Sequence, residues 1–253
     1  PDLPPPHAHT RPLTATPAAL AHAMAAPARR RARGSYTPWA LRHTTRCRVL
    51  AVATSRTHAE LIRAREHPEA RDRLEVVTAD MNDFGIDRKF DRVVSVEMFE
   101  HMRNWARLFE RVAGWLRPDG AFFLHVFCHQ RYAYLYSDEG AGDWMARHFF
   151  TGGIMPSQDL PLRYDDHLQV VDQWRVGGLH YSLTLEAWLA EMDRNRERLL
   201  PVFAQTYGTD SERWFARWRM FFMACSELFR YRGGDEWFVA HTLMRLRDTV
   251  AGK

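Results

Sequence analysis

The sequence predicts an α/β protein built on a doubly wound, mostly parallel sheet. Short apolar runs such as Val49-Leu50-Ala51-Val52 alternate with longer stretches of helical periodicity, which is the pattern of β-α-β units. Turn residues such as Pro118-Asp119-Gly120 separate them. At 253 residues and 46% hydrophobic, the chain is long enough to bury a full core as one domain.

Residues 1–33 differ from the rest. They are rich in Pro, Ala, Arg and His, and Asp2 is the only acidic residue before Glu60. With the run Arg29-Arg30-Arg31-Ala32-Arg33, this predicts a disordered arm ahead of a domain spanning 34–253. No apolar stretch follows the charges, so a secretory signal is not expected, and scarce serine argues against a transit peptide.

From Gly34 the elements follow in order. Residues 35–43 suit a short helix, and 47–53 a buried strand. Ser55 or Thr57 caps a helix running to about residue 66. Strands are expected at 74–78 and 90–96. A helix over 98–116 carries Met102, Trp105, Leu108, Phe109, Val112, Trp115 and Leu116 on one face. After the turn at 118–120 comes a strand at 121–126. Residues 128–165 are irregular and aromatic, as expected of a cover over a site. Strands near 168–176 and 236–246 flank helices at about 184–206 and 210–231, and are expected as antiparallel additions at one edge.

Composition narrows the function. The net charge of +4 is too small to imply nucleic acid. No apolar run reaches bilayer length. Cys47, Cys128 and Cys225 are far apart, which suits a reducing cytoplasmic setting and argues against a disulfide framework or zinc site. The spacing of His125, Cys128 and His129 matches no standard zinc pattern, so no metal is expected.

The chemistry concentrates in Val96-Glu97-Met98-Phe99-Glu100-His101-Met102. Two carboxylates and an imidazole stand at the carboxyl end of a predicted strand, where open α/β sheets bind ligands. A helix starting there would favour both carboxylates as ions facing a cation. Taken alone, Glu97 and Glu100 also read as first-turn helix residues, and His101 as a solvent-facing one. His125 reads as a core histidine, and Tyr181 as strand packing. Cys225 sits on the stripe Trp214, Trp218, Phe221, Cys225, Leu228, where it reads as a small hydrophobe.

Together these residues resemble a family. Ala79-Asp80-Met81, the run at 96–102, Pro118-Asp119-Gly120, Leu124-His125-Val126, the segment 178–185 and the segment 219–225 stand in the order of a Rossmann-like class I S-adenosylmethionine-dependent methyltransferase. More narrowly, 34–247 resembles the cyclopropane fatty acid synthases and the plant coclaurine-type N-methyltransferases.

The resemblance implies S-adenosylmethionine as methyl donor. Asp80 and Met81 would flank its adenine, Thr54, Ser55 and His58 its ribose side, and Gly34 and Val96 complete the donor site. In synthase terms, Glu100, His125 and Tyr181 would hold a bicarbonate base, and Cys225 matches a cysteine discussed as catalytic. In N-methyltransferase terms, Glu97, Glu100 and His101 would hold an amine and take its proton. The acceptor stays open between an unsaturated phospholipid acyl chain, which would bring peripheral membrane contact, and a small amine.

The sequence departs from the family where a first strand and glycine-rich loop belong. Residues 26–33 stand there, and Gly34 alone remains. Residues 1–33 therefore read as a truncated, rearranged or mis-framed start with the first strand missing and the donor held weakly. This leaves a second reading, a catalytically impaired remnant that binds lipid or a small molecule.

Overall fold

The computed structural model describes residues 18–23, 36–44, 46–64, 68–140 and 142–247. Its strands in chain order are β1 (Ala18–Ala23), β2 (Arg48–Ala53), β3 (Leu74–Thr78), β4 (Phe90–Val96), β5 (Leu116–His129), β6 (Tyr134–Leu135), β7 (Ile154–Met155), β8 (Leu168–Val176) and β9 (Trp237–Leu246). The helices are α1 (Tyr36–His43), α2 (Arg56–Ala64), α3 (Trp105–Trp115), α4 (Trp144–His148), α5 (Gly178–Arg194), α6 (Arg196–Tyr207) and α7 (Ser211–Arg230).

A seven-stranded sheet runs β3-β2-β1-β4-β5-β9-β8. The first five of these strands pair in parallel, and β9 and β8 add antiparallel at one edge, as the sequence predicts. Alternation along β2 explains the double winding. Leu50 and Val52 join the core under α3, whereas Val49 packs with α1 and Ala51 and Ala53 pack with α2. Ser55 Oγ accepts the backbone N–H of His58 at 3.2 Å and so caps α2.

Several expectations are corrected. The first strand is not missing: β1 lies at the centre of the sheet, paired with β2 on one side and β4 on the other. Strand pairing therefore begins upstream of Gly34, inside the segment expected to be disordered. Gly34 itself and the rest of 24–35 lie outside the described residues.

The helix expected over 98–116 is two elements. Phe99–His101 is a single 3₁₀ turn, Met102 is extended, and α3 starts only at Trp105. A three-residue turn has almost no aligned peptide dipoles, so the expected helix field at Glu97 and Glu100 is absent.

The segment 178–185 is the start of α5, so Tyr181 stands on a helix and not in a strand. Further on, the pairing of β4 with β5 jumps from Phe90↔Leu116 to Arg92↔Ala121. The expected turn at Pro118-Asp119-Gly120 is thus a bulge within a long strand.

Two large cores result. One holds α3 against the sheet and includes Trp105, Phe109, Phe122 and Leu124. The other joins α5, α6 and α7 to Phe127 and Val239 at the far end of the sheet. Cys47, Cys128 and Cys225 are buried in three separate clusters. No helix among the described residues is long and apolar enough to cross a membrane.

Candidate active site

Parallel register aligns the strand ends. Ala53 pairs with Thr78, Ala23 with Val96, and Val96 with His125, so the segments that follow share one rim. The chain winds outward from β1 through β2 and β3, then returns to add β4 on β1's other side. This reversal is the switch point at which doubly wound sheets open a crevice.

Glu97 follows directly. Its backbone N–H donates to the carbonyl of His125 at 3.0 Å, extending the β4–β5 ladder by one residue. Its φ is +51°, a left-handed conformation that costs a non-glycine residue about 1–2 kcal/mol. The 3₁₀ turn then folds Glu100 inward until it is 1% exposed. Trp105 locks this arrangement, because its indole N–H donates to the carbonyls of Phe99 at 3.0 Å and Met102 at 3.1 Å.

Two expected residues converge on Glu97. The Tyr181 hydroxyl donates to Glu97 Oε2 at 2.9 Å. His125 Nε2 lies 3.1 Å from Glu97 Oε1, within ion-pair distance. That oxygen is buried without a hydrogen-bond partner. Glu100 Oε2 is likewise buried and undonated. His101 Nε2 stands 3.8 Å from Glu100 Oε1.

The electrostatics follow from burial. Desolvation, and then the neighbouring charge of Glu97, hold the Glu100 carboxyl well above the usual carboxylate range. Burial and the like charge beside it thus oppose ionisation of Glu100, against the expectation of two ionised carboxylates. Burial lowers His101, which favours neutral imidazole. Burial, and then Glu97, raise the Tyr181 phenol, so it stays a donor.

These groups form one end of a cavity of ≈ 490 Å³. Its remaining wall is aromatic and aliphatic, with Tyr136, Phe149, Phe150, Trp188, Trp218 and Phe221 prominent. Tyr136 stacks on Phe150 at 5.0 Å, and Phe149 on Phe221 at 4.4 Å. No lysine or arginine is among its lining residues. Cys225 contributes to this wall from α7, and burial pushes its thiol up to about 12. A second cavity, ≈ 360 Å³, lies at the amino ends of β2, β3 and β4, the opposite end from where such sheets bind ligands.

Bicarbonate does not fit this site. His125 and Tyr181 both address Glu97 rather than Glu100, so a carboxylate already bridges them. A further anion would meet two carboxyl groups and no cationic side chain.

The expected donor residues lie along the rim beside β1. Thr54, Ser55 and Asp80 are exposed there, and His58 is buried under the turn. Asp80 Oδ1 accepts from the Asn82 backbone N–H at 2.8 Å, closing an Asx turn. Met81 turns inward and is 5% exposed, with its carbonyl held by Arg111 at 2.8 Å. An open rim at the switch point fits a nucleoside-bearing donor.

Much of the aromatic wall escaped residue-level reading. Only the irregularity of 128–165 signalled it, and those residues supply Tyr134, Tyr136, Phe149 and Phe150. His241, which contacts His125, had no signal in the sequence.

Comparison with known proteins gives a consistent picture. The family described as mycolic acid cyclopropane synthetase matches residues 39–237. The (S)-coclaurine N-methyltransferase of Thalictrum flavum subsp. glaucum is 31% identical over 217 residues, 84% of this chain and 60% of that protein. The cyclopropane-fatty-acyl-phospholipid synthase of Escherichia coli is 30% identical over 183 residues, 70% of this chain and 45% of that one. This chain thus spans less than two thirds of the length of these relatives.

Among solved structures, coclaurine N-methyltransferase bound to N-methylheliamine and SAH superposes with a TM-score of 0.79. It is 30% identical, with 91% of this chain and 68% of that one covered. A cyclopropane synthase of Mycobacterium tuberculosis shares the fold at 18% identity and a TM-score of 0.69, with 91% of this chain and 78% of that one covered.

Proposed function

The chain belongs to the mycolic acid cyclopropane synthetase family, and from that premise we propose that it methylates a small-molecule amine with an apolar, aromatic body. The observation carrying this is the pair of buried, undonated carboxyl oxygens, Glu97 Oε1 and Glu100 Oε2, at the end of an aromatic cavity. Buried polar atoms lacking partners are costly, and an amine N–H or N–H⁺ would satisfy them. Aromatic faces add attraction for a cationic nitrogen.

S-adenosylmethionine, when bound, supplies an electrophilic sulfonium methyl. Thr54, Ser55, His58 and Asp80 would hold it at the rim, with the backbone at Met81 and Val96 beside it. Glu97 holds the amine nitrogen and takes its proton at Oε1, which frees the lone pair for attack. Glu100 presents its undonated Oε2 to the nitrogen from within the cavity. His101 shares in holding the nitrogen as neutral imidazole. Tyr181 and His125 fix the Glu97 carboxylate, and Cys225 is apolar wall. Alignment of nitrogen and methyl within a dry cavity supplies most of the acceleration.

The test is product mass spectrometry with S-adenosylmethionine and two acceptor sets, aromatic secondary amines and unsaturated phospholipid vesicles. A methylated amine supports the reading, and a cyclopropanated acyl chain overturns it. A second reading is favoured by the sequence after β1, where Gly34 is the only glycine between Ala23 and Tyr36. A protein that binds the acceptor but holds the donor weakly would then result. Calorimetry with S-adenosylmethionine separates the two, because low-micromolar binding removes the second.

A further inference from the structure

His241 is a lone histidine in β9 with no motif around it, yet it is tied to the site through the sheet. The register sets Val96, His125, His241 and Trp174 in one row across β4, β5, β9 and β8. His241 Nε2 lies 2.9 Å from His125 Nδ1. Phe123 at 5.2 Å and Trp174 at 5.6 Å pack against the His241 ring and hold its orientation.

Burial, and then the adjacent His125, push His241 down to about 4. It is therefore neutral near pH 7 and carries one ring proton. One proton lies between the two rings, and two arrangements are available. If His241 donates, His125 Nδ1 accepts, and the His125 proton lies on Nε2, the nitrogen 3.1 Å from Glu97 Oε1. If His125 donates instead, its Nε2 lone pair faces a carboxyl oxygen, which is repulsive for a carboxylate. The Glu97 acceptor oxygen facing Nε2 selects the first arrangement.

We propose that His241 is a positioning residue for the acceptor site: by donating Nε2–H to His125 Nδ1, it fixes His125 with its N–H towards Glu97. The chain Tyr181–Glu97–His125–His241 then acts as one unit that aims the carboxylate into the cavity. The kinetic consequence rests on the amine reading, but the tautomer does not.

The test combines imidazole ¹⁵N NMR of the whole protein with steady-state kinetics. His241→Phe keeps a ring between Phe123 and Trp174 but removes the donor, whereas His241→Gln restores an N–H. Wild-type His125 is expected as the Nε2–H tautomer, H241F as a mixture, and H241Q close to wild type. In H241F, kcat for the amine should fall about tenfold with KM for the donor unchanged, and H241Q should recover most of it. An Nδ1–H tautomer for wild-type His125, or one unaltered in H241F, overturns the proposal. The wild-type tautomer needs no variant, so a misfolded H241F leaves the test intact. If no amine is methylated, the functional reading falls while the NMR still decides the role of His241.

Discussion

Glu100 shows how a single side chain sets the conditions for the site. It is buried with one oxygen undonated, and burial and Glu97 both raise its pKa. A carboxyl whose folded pKa exceeds its unfolded value of 4.5 binds more protons folded than unfolded. Its stabilising contribution is therefore present below pH 4.5 and is lost as pH rises through the folded pKa. Glu100→Gln has nearly the same shape and no proton to lose. The variant should exceed wild type in stability by a margin that grows between acid and mildly alkaline pH. Urea midpoints at the two ends of that window check this, and an equal margin at both would contradict the account. The strain at Glu97 belongs to the same scale: a left-handed glutamate persists because the ladder to His125 and the bond from Tyr181 hold it there.

At the scale of elements, the position of Tyr181 depends on how α5 starts. A Cβ built on Gly178 would stand 2.1 Å from the carbonyl oxygen of Trp237 and 2.3 Å from that of Phe229. The first turn of α5 is thus pressed against β9 and the end of α7, backbone to backbone. Gly177, one residue earlier, has open space around its Cβ position and an extended backbone at φ −53° and ψ 142°. Gly178→Ala should destabilise by about 3 kcal/mol or more and reduce turnover through Tyr181. Gly177→Ala should leave both near wild type. Equal thermal shifts in the two variants would show that the close approach does not govern this junction.

The same scale explains what the sequence revealed. β4 was legible because Val93, Val94 and Val96 mark a strand, and its exit run carried the carboxylates. β1 was not, because Ala18-Ala19-Leu20-Ala21-His22-Ala23 has no β-branched residue and gains its ladder from the neighbours on each side. The helix over 98–116 was overextended because Met102 fits the apolar stripe while its backbone is extended. Glu97, Glu100 and His101 were found through their local spacing. His241 was hidden because only pairing over 116 residues brings it to His125.

At the scale of the whole molecule, β1 joins two unequal halves. On one side stand β2 and β3 with the exposed rim residues Thr54, Ser55 and Asp80. On the other stand β4, β5, β9 and β8, with the acceptor cavity roofed by α5 and α7. Ala19 to Ala23 pair with Arg92 to Val96, and Ala18 to His22 with Arg48 to Val52, so β1 supplies ladders to both halves. Removing residues 1–23 would leave the facing edges of β2 and β4 unpaired at the centre of the sheet. Such edges recruit other chains. The shortened chain should lose its single cooperative unfolding transition, and self-associate at concentrations where the full chain does not. The surviving half keeps Glu97, Glu100 and Tyr181, so an aromatic amine should still bind it, more weakly, while donor binding disappears. Denaturant unfolding, light scattering and calorimetry with each ligand read these outcomes separately. An unchanged unfolding transition in the shortened chain would mean that the central ladder does not hold the two halves together.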